Sequence, residues 1–252
     1  MPFDAELIRQ HWPLPVVYFD TVGSTMTEAV RLAEAGCPHG AIVVADEQTA
    51  GQGRHGHQWH SERNAGLYVS IVLRPSLAVD VLPVLTLALG LAAADAIAET
   101  TGLDCDLRWP NDVMLGDRKA AGILVELRGS AAIAGIGVNV NHSSFPAEIV
   151  REATSLRIVS NRMHAREHLL IALLGAVERY GVILEGADGR QMILRMFSRR
   201  SSYARNRRVT VNQGASMLEG ITHGLNESGF LIIRKDDGAE EVVLAGGVRP
   251  VS

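Results

Sequence analysis

Gly51-Gln52-Gly53-Arg54-His55-Gly56-His57-Gln58-Trp59 is the stretch whose reading decides the fold of this chain. Its first six residues satisfy G-x-G-x-x-G, the pattern of a dinucleotide-binding turn. That turn needs a helix to begin inside the motif, with its N-terminus facing a pyrophosphate. Here His57 to Gly66 carries no apolar stripe at helical spacing, and an apolar, strand-like run from Leu67 to Leu73 follows directly. The glycines are therefore assigned to a long, mobile, cationic loop between two strands, and a Rossmann fold is disfavoured. Such a loop, carrying Arg54, suits an anionic ligand over which it closes.

Working outward, the 252 residues suffice for one large domain plus a small one. Hydrophobic residues make up 47% and charged residues 21%, a balance that supports a sizeable core in a soluble globular protein. A net charge of −4 offers no global attraction for nucleic acid or an anionic membrane. Cys37 and Cys105 are the two cysteines, without a C-x-x-C, so a disulfide scaffold and structural zinc are poorly supported and a reducing cytoplasm fits best. The N-terminus is acidic and lacks the apolar stretch of a signal peptide. Val81 to Ala94, the longest apolar stretch, is interrupted by Pro83 and Thr86 and reads as a buried helix, not a membrane span.

Periodicity and punctuation predict a mixed α+β layout dominated by hairpins. Strands are expected at Val16–Phe19, Ala41–Ala45, Leu67–Leu73, Asp106–Trp109, Val113–Leu115, Lys119–Leu127 and Ala131–Val140. Thr25-Met26-Thr27-Glu28 fits a capping box opening a helix through Ala33. Longer helices are expected over Val84–Thr101, stopped by Gly102, and over Arg166–Leu184 and Asp188–Arg199. From Val209, short alternating strands separated by Asn212-Gln213-Gly214, Asn226-Glu227-Ser228-Gly229 and Asp236-Asp237-Gly238 predict a small β-barrel.

Four segments put polar or glycine residues where a plain core has no need of them. At Gly23-Ser24-Thr25 the hydroxyls can cap a helix or bind a small polar ligand, and the cap is the favoured reading. Gln48, at the end of a buried strand, offers the donor and acceptor that an amide- or urea-like group would match. Nearby Arg54 can grip a carboxylate or phosphate in bidentate fashion or stay solvated. In Arg108-Trp109-Pro110-Asn111-Asp112 the proline forces a bend that aims Asn111 and Asp112 away from the ladder, and Lys119 sits at the rim of the core as surface flank or anion contact. Gly135 and Gly137 inside an apolar strand suggest close approach by a ligand or another backbone. Asn139 and Asn141, on one side of that strand, could bind a nucleoside.

His55, His57 and His60 invite a metal reading, which the lack of a nearby Asp or Cys in a ligand-like arrangement disfavours. Arg199, Arg200, Arg205, Arg207 and Arg208 lie at the expected domain junction and read as a solvated surface or a phosphate contact, not a nucleic-acid site.

Taken in order, Gly23-Ser24-Thr25, Gln48-Thr49-Ala50-Gly51-Gln52-Gly53-Arg54-His55-Gly56, Trp109-Pro110-Asn111-Asp112, Arg118-Lys119-Ala120-Ala121-Gly122-Ile123-Leu124 and Gly135-Ile136-Gly137-Val138-Asn139 resemble the motifs of the biotin protein ligase (biotin–[acetyl-CoA-carboxylase] ligase) family. Each motif alone is weak, but in register, with the C-terminal β-module, they span most of the chain. The resemblance implies a class II synthetase-like, biotin–lipoate ligase-like mixed sheet flanked by helices over residues 1–204, and an SH3-like β domain over 205–252. It implies ATP with Mg2+, biotin as substrate, activation to biotinyl-5′-AMP, and transfer to a lysine of a biotin carboxyl carrier protein or domain. It implies catalytic roles for Arg54, Lys119 and Asp112, with Asp112 either assisting Mg2+ or orienting Lys119. Biotin contacts are implied for Ser24, Thr25, Met26, Gln48, Gln52, Gly53, Arg54 and Lys119. Nucleotide contacts are implied for Arg54, Trp59, Asn111, Lys119 and Asn139.

The chain departs from the family pattern at several positions. Met26 stands where Asn is common, Gln52 where Arg is usual, His57 where another basic residue is frequent, and Arg108 where Lys precedes the Trp-Pro-Asn-Asp motif. The loop is thereby less cationic, with consequences for adenylate affinity and its pH dependence. A lipoate or octanoate ligase is the near alternative, and a biotin-sensing regulator without catalysis the distant one. About twenty residues precede Gly23, too few for a helix-turn-helix domain, so no DNA partner is expected. No membrane partner is expected either, and the resemblance admits a monomer or a homodimer through a sheet edge.

Overall fold

The structure, a computed structural model, describes residues 3–74, 81–212 and 217–251. Its main body is a mixed sheet of β1 (Val16–Phe19), β2 (Ala41–Ala45), β3 (Leu67–Leu73), β4 (Asp106–Arg108), β5 (Asp112–Leu115), β6 (Arg118–Arg128) and β7 (Ala131–Val138). The strand order is β1-β2-β3-β7-β6-β5-β4; β1 runs parallel to β2 and the other pairs are antiparallel. The helices are α1 (Ala5–His11), α2 (Thr25–Glu34), α3 (Leu82–Thr101), α4 (Leu156–Ser160), α5 (Arg166–Glu185) and α6 (Gly189–Arg200).

β2 and β3 are buried along their whole length because helices cover both faces of the sheet. Ile42, Val44, Val69, Ile71, Ala134 and Ile136 point into the large core shared with α3 and α5. Val43, Val72 and Ile133 point the other way, into a smaller cluster with Met26 and Ala29 of α2. The central strands therefore read as continuous apolar runs without alternation.

α3 ends where expected, at Gly102 in the left-handed region (φ 74°). It is long and apolar enough to cross a membrane, yet 67% of its most apolar window is buried inside the protein, as a core helix would be.

Two helices are not apparent in the sequence. α1 is a two-turn helix capped by the Asp4 carboxylate, which accepts from the Glu6 and Leu7 amides. α4 is a single turn capped by Ser155, which accepts from the Ile158 amide. The expected capping box at Thr25 is not formed. Ser24 is the N-cap, its hydroxyl caps nothing, and the Thr25 hydroxyl turns instead toward Gln48.

The C-terminal module comprises β8 (Arg205–Asn212), β9 (Met217–Leu225), β10 (Leu231–Arg234), β11 (Glu240–Val243) and β12 (Gly247–Pro250), in the order β11-β10-β9-β8-β12. Among the described residues β11 and β12 are edges that do not pair, so the expected barrel is an open antiparallel sheet. The expected turn at Asn212-Gln213-Gly214 falls largely outside the described residues. The module is tied to the main body by the Trp109 indole, which donates to the Gly229 carbonyl (2.9 Å). The junction arginines are mostly engaged: Arg200 with Asp95 (2.6 Å), Arg207 over the Tyr203 ring (4.0 Å) and Arg208 with Asp236 (2.8 Å).

Candidate functional site

On the face of the sheet that α2 partly covers, side chains give way to glycines. Gly135 pairs with Ser70 and Leu124, and Gly137 with Tyr68 and Gly122. The result is a sunken floor, roofed by the glycine loop. A Cβ on Gly137 would lie 2.5 Å from the Trp59 ring, one on Gly122 2.8 Å from both Trp59 and Lys119 Cε, and one on Gly135 2.7 Å from Met26 Sδ. The close approach expected at these glycines is thus made by side chains of this chain. Trp59 and Met26 take the room that a Cβ would occupy.

The loop holds its shape through its own backbone. Gly53 N–H donates to the His57 carbonyl (2.7 Å) and Trp59 N–H to the Gly51 carbonyl (2.9 Å), around a 3₁₀ turn at Arg54–Gly56. Gly56 sits at φ 77°, a conformation that glycine adopts without steric cost.

At the inner end a polar chain is fully specified. The Ser70 hydroxyl donates to Thr25 Oγ1 (2.8 Å), and Thr25 donates through its hydroxyl (3.0 Å) and its backbone N–H (2.9 Å) to Gln48 Oε1. Gln48 Nε2 in turn donates to Ser61 Oγ (2.9 Å). Gln48 is therefore held by protein partners at both ends of its amide. Ser61 and Ser70 were not anticipated as site residues. The readable signal for Ser70 was a lone hydroxyl within Leu67-Tyr68-Val69-Ser70-Ile71-Val72-Leu73, since a buried hydroxyl needs a partner. Ser24 is buried with its hydroxyl unpartnered and is not among the residues lining the cleft.

The cations lie at the outer end. Asp112 accepts from Arg108 Nη2 (2.8 Å) and Nε (3.2 Å) on one oxygen and from Lys119 Nζ (2.6 Å) on the other. Burial alone would raise this carboxyl, but the Lys119 and Arg108 charges outweigh it and hold it below its ordinary value. Arg54 Nη1 donates to Asn111 Oδ1 (3.0 Å) and, at 3.5 Å, to the Gly246 carbonyl of the C-terminal module. Burial lowers the Arg54 guanidinium from its usual range, while Asp112 pulls it the other way. Asn111 is itself fixed to β6, its Nδ2 donating to the Ile123 carbonyl (2.9 Å). Lys119 Nζ also stands 5.2 Å from the Trp59 ring centroid, a cation–π contact.

Two depressions meet at this wall. The inner one contains Thr25, Met26, Gln48, Gln52, Gly135 and Gly137. The outer one contains Arg108, Asp112, Asn139, Glu152 and residues 246–249 of the C-terminal module. Gly53, Arg54, Trp59, Asn111 and Lys119 line both.

Two sequence expectations change here. Asn139 spends its amide hydrogens on the Lys119 and Thr154 carbonyls (3.4 and 3.0 Å), and Asn141 pairs with His164, donating to its carbonyl and accepting from its N–H (both 2.9 Å). Asn139 still borders the outer depression, whereas Asn141 staples a loop. Asp112 also does not suit a Mg2+ ligand. Both its oxygens are taken by cations, and a hard divalent ion needs oxygen donors left free by such partners. Of its two implied roles, orienting Lys119 is the one the geometry fits.

The mixed sheet, its cleft and the small β module beside it define a ligase of the biotin/lipoate class by family match and by fold. A family model described as the Biotin/lipoate A/B protein ligase family matches residues 18–143, and one described as the Biotin protein ligase C terminal domain matches residues 206–248. The biotin–[acetyl-CoA-carboxylase] ligase of Paracoccus denitrificans is 32% identical, over 88% of this chain and 95% of its own length. The bifunctional ligase/repressor BirA of Bacillus subtilis is 31% identical over 95% of this chain and 74% of its own. The solved biotin protein ligase from Aquifex aeolicus in complex with biotin and ATP superimposes with a TM-score of 0.83 at 30% identity, covering 94% of this chain and 99% of that one. This chain belongs to the biotin protein ligase family.

Proposed function

We propose that this chain activates biotin with ATP and transfers it to a specific lysine of a biotin carboxyl carrier protein or domain of a biotin-dependent carboxylase. The observation that carries the reading is the position of Arg54 and Lys119 on the wall shared by the inner and outer depressions. The biotin ring would lie over the glycine floor against Thr25 and Gln48, with its carboxylate at the wall. The nucleotide would occupy the outer side, near Trp59, Asn111 and Asn139.

In the first step a carboxylate oxygen bonds to the α-phosphorus while the bond to pyrophosphate breaks. At about 4 Å the two anions repel by roughly 4 kcal/mol at an effective dielectric of 20. Arg54 and Lys119 offset this and stabilise the charge that develops on the phosphoryl oxygens. Asp112 orients Lys119, and Asn111 orients Arg54. Magnesium enters with ATP as part of the substrate. In the second step the acceptor lysine amine attacks the mixed anhydride and AMP leaves. The loop shields the adenylate from water in between.

The test is mass spectrometry of a carrier domain incubated with the purified chain, biotin and MgATP. A mass increase that requires all of these components is expected. ATP–pyrophosphate exchange that depends on lipoate and not on biotin would overturn the assignment. Adenylate formation with no transfer to any carrier would favour a biotin-sensing role instead.

A further inference from the structure

The loop histidines have no Asp or Cys beside them in the sequence; His60 has Glu62 two residues on, and the fold adds a third group from a distant segment. His60 and Glu62, on the stem between the glycine loop and β3, meet His142, on the segment that leaves β7. One potential ligand atom from each lies within 4.8 Å of the others.

The state of His142 is set by its neighbours. Its side chain is fully buried. The Tyr68 hydroxyl donates to the Glu62 carbonyl (2.9 Å), so that oxygen is left to accept from His142 Nε2 at 3.3 Å. Nε2 therefore carries the hydrogen, and Nδ1 is a bare lone pair, buried and without a hydrogen-bond partner. A buried lone pair with no donor is costly. The ring is further held by stacking on Phe145 (centroids 5.1 Å apart, 19° between planes).

We propose that His60, Glu62 and His142 form a binding site for a borderline divalent transition-metal ion of the zinc class, reached from the outer depression, which His60 lines, and distinct in its residues from the Arg54–Lys119 wall. Two imidazoles and a carboxylate are a donor set suited to zinc, with a fourth position for water. Tyr68 acts as the outer partner that fixes the His142 tautomer. Contracting from 4.8 Å to ligand spacing falls to His60 and Glu62, whose side chains are 35% and 51% exposed, with His60 turning within its ring contacts to His142 and Phe145. A bound ion would tie the stem of the glycine loop to the exit of β7.

The experiment is calorimetric titration of the metal-free, untagged full chain with ZnCl2, repeated with Co2+ as a spectroscopic stand-in. One ion per chain is expected, together with the visible absorption of low-coordinate cobalt. His60→Ala and Glu62→Gln, both at partly exposed side chains, should each weaken binding about tenfold or more while leaving thermal unfolding of the metal-free chain unchanged. The proposal is overturned if there is no stoichiometric uptake, or if uptake is undiminished in both variants. Uptake lost only in His55→Ala or His57→Ala would overturn it as well.

Discussion

Asp112→Asn is the most informative single change, because one carboxylate restrains two cations at the reacting wall. The Lys119 ammonium lies 2.6 Å from Asp112 Oδ1, a gross attraction of about 6 kcal/mol at an effective dielectric of 20. The side chains are 28% and 14% exposed, so much of that attraction offsets the desolvation of the pair. The amide keeps the shape but leaves Lys119 and Arg108 facing one another without the anion. We expect a net loss of about 2–3 kcal/mol, which for a chain of this size lowers Tm by on the order of 5–10 °C. Lys119, no longer aimed, should lose about a hundredfold in kcat for biotin-dependent ATP–pyrophosphate exchange, a larger effect than any change in biotin KM.

The pH dependence supplies an internal check. The folded pKa of Asp112 is depressed below its ordinary 3.8. Its contribution to stability is therefore fully present above that value and disappears as pH falls through the folded pKa. The stability gap between wild type and Asp112→Asn should accordingly be constant near neutrality and close only in strong acid. A variant with unchanged Tm and exchange within about twofold of wild type would refute the idea that this carboxylate holds Lys119.

Three further outcomes are expected. Asp46 and Arg166 form a buried pair at 2.6 Å, and Arg166 also reaches the Gly66 carbonyl, so one guanidinium joins both stems of the glycine loop. Asp46→Ala should cost about 3–5 kcal/mol in urea denaturation. His142, with its folded pKa near 4 against an ordinary 6.5, opposes protonation in the folded state. Its contribution is intact above pH 6.5 and falls as pH drops toward 4, by up to about 3 kcal/mol, so urea midpoints at pH 7 and pH 5 should differ less in His142→Asn than in wild type. Gly137→Val puts a Cβ where the Trp59 ring sits, so Trp59 fluorescence should shift, the KM for both biotin and ATP should rise, and stability should fall by about 1–3 kcal/mol as the ring is displaced.

The element spans were legible because they are written in local periodicity: apolar runs for strands buried on both faces, a Gly102 stop for α3, hairpin turns at Gly116 and Gly129. The loop character of residues 51–66 was legible for the same reason, since no helical stripe follows the glycines. α1 escaped because its two turns bury little beyond Ala5 and Ile8. The Thr25 hydroxyl is not legible as a ligand-site group because a hydroxyl at a helix start has two possible partners, and only the position of Gln48 decides between them. Sequence by itself thus determined the α+β layout, the family motifs and the candidate cations Arg54 and Lys119. The tertiary structure decided what these residues touch: Asp112 bridging Lys119 and Arg108, Trp59 seated over Gly122 and Gly137, and His142 brought beside His60. Periodicity records how far each residue is buried, but which buried groups meet depends on strand register and loop closure, and those are set by packing across the whole sheet.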